Sequence, residues 1–115
     1  MYRLKRVYED PSPDDGYRVL VERLWPRGIK KEQAQLDLWL KEAAPTPELR
    51  VWFNHDDTKW EEFRSRYMEE LKQNTKVHSE LEKLARKDII TLVFAARNTD
   101  HNAAVVLKQY LEENF

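Results

Sequence analysis

The side chains best suited to chemistry follow directly after two apolar segments of the chain. The first segment ends at Val21 and is followed by an acid, two arginines and a tryptophan, namely Glu22, Arg23, Trp25 and Arg27. The second ends at Ala96 and is followed by polar side chains that include Arg97, Asn98, His101 and Asn102. Arginine recognises phosphate and carboxylate groups, while a carboxyl or imidazole group can transfer protons near neutral pH.

These residue types predict an anion site that also holds an acid/base pair. Glu22 and His101 are the candidate catalytic groups, and the candidate ligand-binding residues are Arg23, Trp25, Arg27, Arg97, Asn98 and Asn102. Structural roles are the alternative: Glu22 can pair with an arginine, Asp100 can cap the following helix, and Trp25 can cover a loop. Because no strong catalytic motif is present, the sequence leaves open whether the protein is an enzyme.

Two buried strands are expected to position these side chains. Val19–Val21 is typical of a strand that is buried on both faces, and Ile89–Ala96 is a longer apolar run of the same kind. The long helical segment between them predicts parallel pairing with a right-handed connection. Since ligands of open α/β sheets bind outside the carboxyl ends of the strands, the two polar clusters should meet at one edge of the sheet.

The remaining strands are less clearly marked. Tyr2–Glu9 alternates between apolar and basic residues, which indicates an edge strand, and residues 10–16 form a loop. This loop is too short for a helical crossover, so it predicts either a hairpin-like antiparallel pairing or an unusually tight connection. Leu36–Leu40 fits a strand and a helix equally well. The expected fold is one small α/β domain over residues 1–115, with a largely parallel sheet of three or four strands and flanking helices.

Capping signals and apolar periodicity predict the helices. Lys30–Gln33 can form a short helix, and Thr46 should cap a helix over Pro47–Phe53. Thr58 has capping-box spacing to Glu61, with Asp56 or Asp57 as alternative caps. Apolar stripes mark the last three helices. The first stripe consists of Trp60, Phe63, Tyr67 and Leu71, and the second, in a helix over Thr75–Lys87, of Val77, Leu81 and Leu84. The stripe of the last helix consists of Ala103, Val106, Leu107, Tyr110 and Leu111.

Composition excludes several classes of site. The chain has no cysteine, which rules out disulfides and thiolate chemistry, and only two glycines, which rules out glycine-rich phosphate loops. His55, Asp56 and Asp57 form a local run that is more typical of helix capping than of metal binding, so no metal site is predicted and no cofactor is identified. Without a signal peptide or a long apolar run, the expectation is a cytoplasmic protein with no membrane partner. The oligomeric state is not predicted.

Extended motifs resemble the YeaO-like branch of bacterial domain of unknown function 488. The resemblance covers nearly the whole chain and rests on residues 14–18, residues 20–28 (LVERLWPRG), Trp39 with residues 44–46, residues 49–53, residues 60–63 with Tyr67, residues 95–97 and residues 101–107. It implies a small α/β domain with a largely parallel sheet and carries no established reaction. The family usually has aspartate where Glu22 stands and an acid where Asn98 stands, so this chain lacks one of two carboxylates that an acid/base mechanism would use.

The leading hypothesis is a cytoplasmic protein that binds a small phosphate- or carboxylate-bearing ligand at the strand ends. A nucleic-acid-associated module is the less favoured alternative, motivated by exposed aromatic residues and by a basic bias over residues 1–31, where eight Lys and Arg face five Asp and Glu. The overall net charge of −1 gives no further support to that alternative. The third hypothesis is a regulatory or interaction protein whose charge cluster is purely structural.

Overall fold

Four parallel strands form the centre of the protein. The computed structural model describes residues 1–115, and its strands are β1 (Tyr2–Arg6), β2 (Tyr17–Leu20), β3 (Leu38–Trp39) and β4 (Ile90–Phe94). Their order across the sheet is β1-β4-β2-β3. The predicted α/β fold, with a parallel sheet and flanking helices, is confirmed. β4 and β2 are parallel as predicted and are neighbours, with Val19 opposite Leu92 and Leu20 opposite Val93.

Of the two predicted connections from β1 to β2, the structure has the unusually tight one, and the two strands run parallel. Both strands run parallel to β4, which lies between them, so the hairpin-like alternative is wrong. Residues 7–16 return the chain across one face of the sheet through a 3₁₀ turn at Pro13–Asp15. Gly16 ends this turn with φ +64°, and a Cβ there would lie 2.5 Å from the carbonyl oxygen of Ile89. Glycine is therefore needed both for the backbone conformation and for the close approach to β4.

The two faces of the sheet are covered differently. Helices cover the face of the sheet that carries Val19, Ile90 and Leu92. The main core of 22 buried residues lies between these helices and the sheet. The opposite face carries Leu20 and Val93 and is covered mainly by loops, the short helix α1 (Lys31–Ala34) and a small second core. The alternation of side chains along each strand assigns neighbouring residues to these two cores.

The segment that was ambiguous in sequence forms β3. Leu38–Trp39 pairs in parallel with Val19–Leu20, and a 3₁₀ turn over Lys41–Ala43 follows at once. The strand is short because pairing is confined to this two-residue stretch at the edge of the sheet. The indole of Trp39 meets that of Trp25 edge-on at 5.3 Å and donates from Nε1 to the carbonyl oxygen of Glu22 at 2.6 Å. This contact fixes the chain that leaves β2.

The four longer helices follow the predicted pattern closely. They are α2 (Pro47–Phe53), α3 (Trp60–Gln73), α4 (Thr75–Ala85) and α5 (Ala103–Asn114), and their predicted stripes are buried except Ala103, which is half-buried. Thr46 caps α2 as predicted. The capping box from Thr58 to Glu61 is not formed, because a 3₁₀ turn over Asp57–Lys59 precedes α3 and is capped by Asp56. None of the helices has the length and apolar character that crossing a bilayer requires.

Candidate functional site

A cleft of about 590 Å³ lies at the carboxyl ends of β2 and β4. Its lining comes from the segments that follow these two strands, from α2 and the turn after it, and from the first turn of α5. Parallel neighbouring strands place their carboxyl ends side by side, which is why two segments far apart in sequence share this cleft. Of the predicted site residues, the cleft brings together Glu22, Arg23, Trp25, Arg97, Asn98 and Asn102.

Glu22 is half-buried in the cleft and forms no ion pair. Its Oε1 accepts a hydrogen bond from the backbone N–H of Ala95 at 2.9 Å, and no arginine lies within salt-bridge distance. The alternative in which Glu22 pairs with an arginine is therefore wrong. Burial raises the pKa of Glu22, while the hydrogen bond from Ala95 and the charges of Arg50 and His55 oppose the increase. The result is a carboxyl group that gains a proton more readily than an exposed glutamate.

Three arginines line the cleft, but they are held differently. Arg23 donates from Nε and Nη2 to the carbonyl oxygens of Pro45 and Ala44, each at 3.1 Å, so its guanidinium is partly committed to the fold. Arg97 and Arg50 are exposed, and neither side chain has a hydrogen-bond or salt-bridge partner within the protein. These two guanidinium groups retain their full capacity to bind an anion.

The two asparagines of the site organise the loop between β4 and α5. Asn98 Oδ1 accepts from the backbone N–H groups of Asp100 and His101, each at 2.9 Å. Asn102 Oδ1 accepts from Val105 N at 3.0 Å and its Nδ2 donates to the Asn98 carbonyl oxygen at 2.9 Å. Asn102 is thus the N-cap of α5, and the alternative of an Asp100 cap is wrong. Both side chains shape the rim of the cleft through these bonds.

The apolar lining of the cleft consists mainly of aromatic side chains and alanines. Phe53 and Phe63 stack with ring centroids 4.2 Å apart and an angle of 19° between their planes, and Phe94 lies at the end of β4. Trp25 also lines the cleft, and its ring is half-buried. The Nε1 of this ring donates to the carbonyl oxygen of Ile29 at 2.6 Å. Leu24 beside it is 61% exposed. Phe53, Phe63 and Phe94 are at most 5% exposed, so the flat surface available to a planar part of a ligand is that of Trp25.

His101 and Arg27 do not line the cleft. The imidazole of His101 stacks on Trp60 with centroids 4.5 Å apart, and its Nδ1 lies 3.1 Å from Asp57 Oδ1. Arg27 is exposed, and its carbonyl oxygen accepts a hydrogen bond from the Tyr8 hydroxyl at 3.1 Å. The structure therefore separates the two candidate catalytic residues, since Glu22 faces the cleft and His101 is engaged outside it.

Two cleft residues with ionisable side chains, Arg50 and His55, were not predicted as site residues from the sequence. Arg50 belongs to α2, and His55 lies just after this helix, where Asn54 (+46°) and His55 itself (+56°) both have positive φ. The left-handed conformation of Asn54 ends α2 and redirects the chain, which brings the exposed His55 to the cleft. Asn54 was a usable signal, because asparagine tolerates this conformation well. No group of three or more His, Cys, Asp or Glu side chains is arranged to hold a metal ion.

Comparison with known proteins identifies relatives over almost the full chain. A family model described as "Inactive DUF488-N3 subclade" matches residues 1–115. The uncharacterized protein Rv3073c of Mycobacterium tuberculosis is 46% identical over 109 residues, which cover 95% of this chain and 92% of the relative. The uncharacterized protein YeaO of Escherichia coli is 45% identical over 107 residues, which cover 93% of each chain. No solved structure gives a significant match.

Proposed function

This chain belongs to the inactive DUF488-N3 subclade, and we propose that it is a cytoplasmic binding protein for a small anionic molecule, held in the cleft at the ends of β2 and β4. The description of the family as inactive favours binding over catalysis. The cytoplasmic location and the identity of the ligand are part of the proposal.

The observation that carries the proposal is the pair of uncommitted guanidinium groups in the cleft. Arg50 and Arg97 come from different elements, line the same cavity and make no hydrogen bond or salt bridge inside the protein. Arg23 adds a third positive charge, although two of its nitrogens already donate to carbonyl oxygens. Arginine forms bidentate, charge-assisted hydrogen bonds with carboxylates and phosphates, so this arrangement favours an anionic ligand.

The polar groups around the arginines support binding more than proton transfer. The side chain of Asn98 is used by hydrogen bonds to Asp100, His101 and Asp57. Glu22 is thus the one carboxylate among the predicted site residues of the cleft, with no second carboxylate beside it at position 98. The two groups predicted for proton transfer, Glu22 and His101, do not share the cleft, so they cannot act together on one ligand.

Ligand-dependent thermal unfolding tests the proposal directly. The panel contains orthophosphate, sugar phosphates, nucleotides and short single-stranded oligonucleotides, each at low and high salt, with wild type, Arg97→Gln and Arg50→Gln. Arg86→Gln is the matched control, because Arg86 is an exposed arginine at the end of α4 outside the cleft. A ligand at 100 times its Kd adds about 2.7 kcal/mol, which corresponds to a shift of about 10 °C or more for a domain of this size.

The outcomes separate the three functional hypotheses. A small anion that stabilises wild type and Arg86→Gln, but much less Arg97→Gln and Arg50→Gln, supports the cleft as its site. Stabilisation by oligonucleotides alone, with a steep loss at high salt, would contradict the small-molecule proposal and favour a nucleic-acid-associated module. If no compound shifts the transition of any variant, the proposal fails and a structural role for the charge cluster is favoured.

A further inference from the structure

The carboxylate of Glu22 adds a hydrogen-bond acceptor to a cleft that is also lined by arginines. One oxygen accepts from Ala95 N, and the other has no hydrogen-bond partner in the protein, although the residue lines the cavity. No buried side-chain oxygen or nitrogen in the protein lacks a partner, so this second oxygen is open to the cleft rather than enclosed. An ionised carboxylate only accepts hydrogen bonds, which means that it selects a ligand group with N–H or O–H donors.

The ligand must therefore present donors to Glu22 and negative charge to Arg50 and Arg97. The same lining includes the half-buried ring of Trp25, which offers a flat apolar surface. Its volume of about 590 Å³ lies within the range that encloses a ligand the size of a mononucleotide. A flat heterocycle joined to a phosphate matches all three requirements, because its ring is apolar on both faces and polar at its edge.

The geometry points to a mononucleotide whose base carries two adjacent N–H donors, as guanine does, with that edge on Glu22 and the phosphate on Arg50 and Arg97. Guanine presents N1–H and the 2-amino group side by side, and a carboxylate can accept both because each oxygen has two lone pairs. Adenine and cytosine place an acceptor next to their amino group, which would face the carboxylate unfavourably. This inference rests on the proposed function, since it specifies the ligand of the same cleft.

The hydrogen bond from Ala95 to Glu22 makes Glu22→Gln a clear test of base recognition. The backbone N–H of Ala95 requires an acceptor, so the amide oxygen in the Glu22→Gln variant is expected to take the place of Glu22 Oε1. The amide nitrogen then faces the cleft and turns an acceptor into a donor. Glu22→Asp keeps the negative charge on a shorter side chain and serves as the conservative variant.

The experiment measures Kd by calorimetry for guanosine monophosphate, inosine monophosphate and guanosine. Inosine monophosphate lacks the 2-amino group, and guanosine lacks the phosphate. Wild type should bind guanosine monophosphate about 10- to 100-fold more tightly than inosine monophosphate, as expected for one lost hydrogen bond to a charged acceptor. Glu22→Gln should bring that ratio close to one, whereas Glu22→Asp should retain part of it. Arg97→Gln should weaken both monophosphates by a similar factor and leave guanosine unchanged.

Three results would overturn the inference, and they differ from failure of the proposed function. Equal wild-type affinity for the two monophosphates, with both dependent on Arg97, removes the guanine assignment and leaves the anion site in place. A preference for the guanine base that survives Glu22→Gln places base recognition on other residues. Absence of binding by all three compounds, while another small anion stabilises the protein in the thermal-unfolding panel, removes the nucleotide assignment and leaves the anion site in place. If Glu22→Gln fails to fold, the comparison of wild type with Glu22→Asp decides: a preference for guanosine monophosphate that is reduced in Glu22→Asp supports the inference, and an undiminished preference contradicts it.

Discussion

The backbone N–H of Ala95 donates a hydrogen bond to Oε1 of Glu22 over 2.9 Å, which joins the residues just beyond the ends of β4 and β2. The two residues are 73 positions apart in sequence. This bond holds a half-buried carboxyl group at the base of an arginine-lined cleft without an ion pair. The contact orients the free oxygen of Glu22 toward the cleft, while burial raises the pKa of this carboxyl group against the opposing effect of the hydrogen bond.

Glu22 should reduce stability as pH rises above its ordinary pKa. Burial raises the pKa of Glu22 above 4.5, so the native state holds this proton to higher pH than the unfolded chain does. The free energy of unfolding of wild type therefore falls from about pH 4.5 up to the folded-state pKa. Glu22→Gln cannot ionise, so its stability relative to wild type should increase across that window. Urea unfolding of both proteins between pH 4 and pH 8 measures the difference, and a pH-independent difference would contradict this explanation.

Asp15 should have the opposite dependence on pH. Burial opposes its ionisation, but hydrogen bonds from Ser12 N, Lys5 and Arg18 outweigh this effect and lower the pKa of Asp15. Its Oδ2 lies 2.5 Å from Arg18 Nη1, and both side chains are less than 10% exposed. Asp15→Asn leaves the charge of Arg18 buried without its partner, which should cost about 3–5 kcal/mol at pH 7.

Acid titration checks this assignment. The stability that Asp15 contributes is complete above its ordinary pKa of 3.8 and is lost as pH falls through the lower folded-state value. The stability gap between wild type and Asp15→Asn should therefore narrow in acid. Asp14→Asn is the control, since Asp14 is exposed and its carboxylate accepts no hydrogen bond. A similar loss in Asp14→Asn would argue against the buried pair as the cause.

Alanine substitutions at Gly16 and Gly28 distinguish the stability cost of steric crowding from that of an unfavourable backbone conformation. Both have positive φ, +64° and +78°, but a Cβ at Gly16 would meet Ile89 at 2.5 Å, whereas a Cβ at Gly28 has open space. Gly28→Ala should cost about 1–2 kcal/mol from the left-handed backbone alone. Gly16→Ala should cost at least about 1 kcal/mol more, because the tight turn must also move away from β4. Chemical denaturation of the two variants gives the comparison, and equal losses would show that crowding at Ile89 is relieved cheaply.

The N-cap of α5 should depend on an acceptor at Asn102. Its Oδ1 accepts from Val105 N at 3.0 Å, and the residue is 4% exposed. Asn102→Ala should lower stability by about 1–2 kcal/mol, since it removes the cap and a buried hydrogen bond to Asn98. Asn102→Asp retains the capping oxygen and should lose less. Thermal unfolding distinguishes the variants, and an equal loss in both would assign the effect to the contact with Asn98 instead of the cap.

The sequence by itself determined the elements whose signals are local. Apolar periodicity located α3 and α4, and Thr46 with Pro47 located the start of α2, because helix formation and capping depend on residues within a few positions. The continuous apolar runs located β2 and β4 and their parallel pairing. The resemblance carried by residues 20–28 gave the family, which the match over residues 1–115 confirms.

Only the tertiary structure decided the strand order, the path from β1 to β2 and the membership of the cleft. β4 separates β1 from β2, and residues 7–16 can follow so short a path only because Gly16 approaches the backbone of Ile89. The cleft gains Arg50 because the packing of α2 turns that residue toward it, while stacking of His101 on Trp60 draws the imidazole away. Such contacts join residues that are far apart in sequence, and their direction is set by packing rather than by residue type.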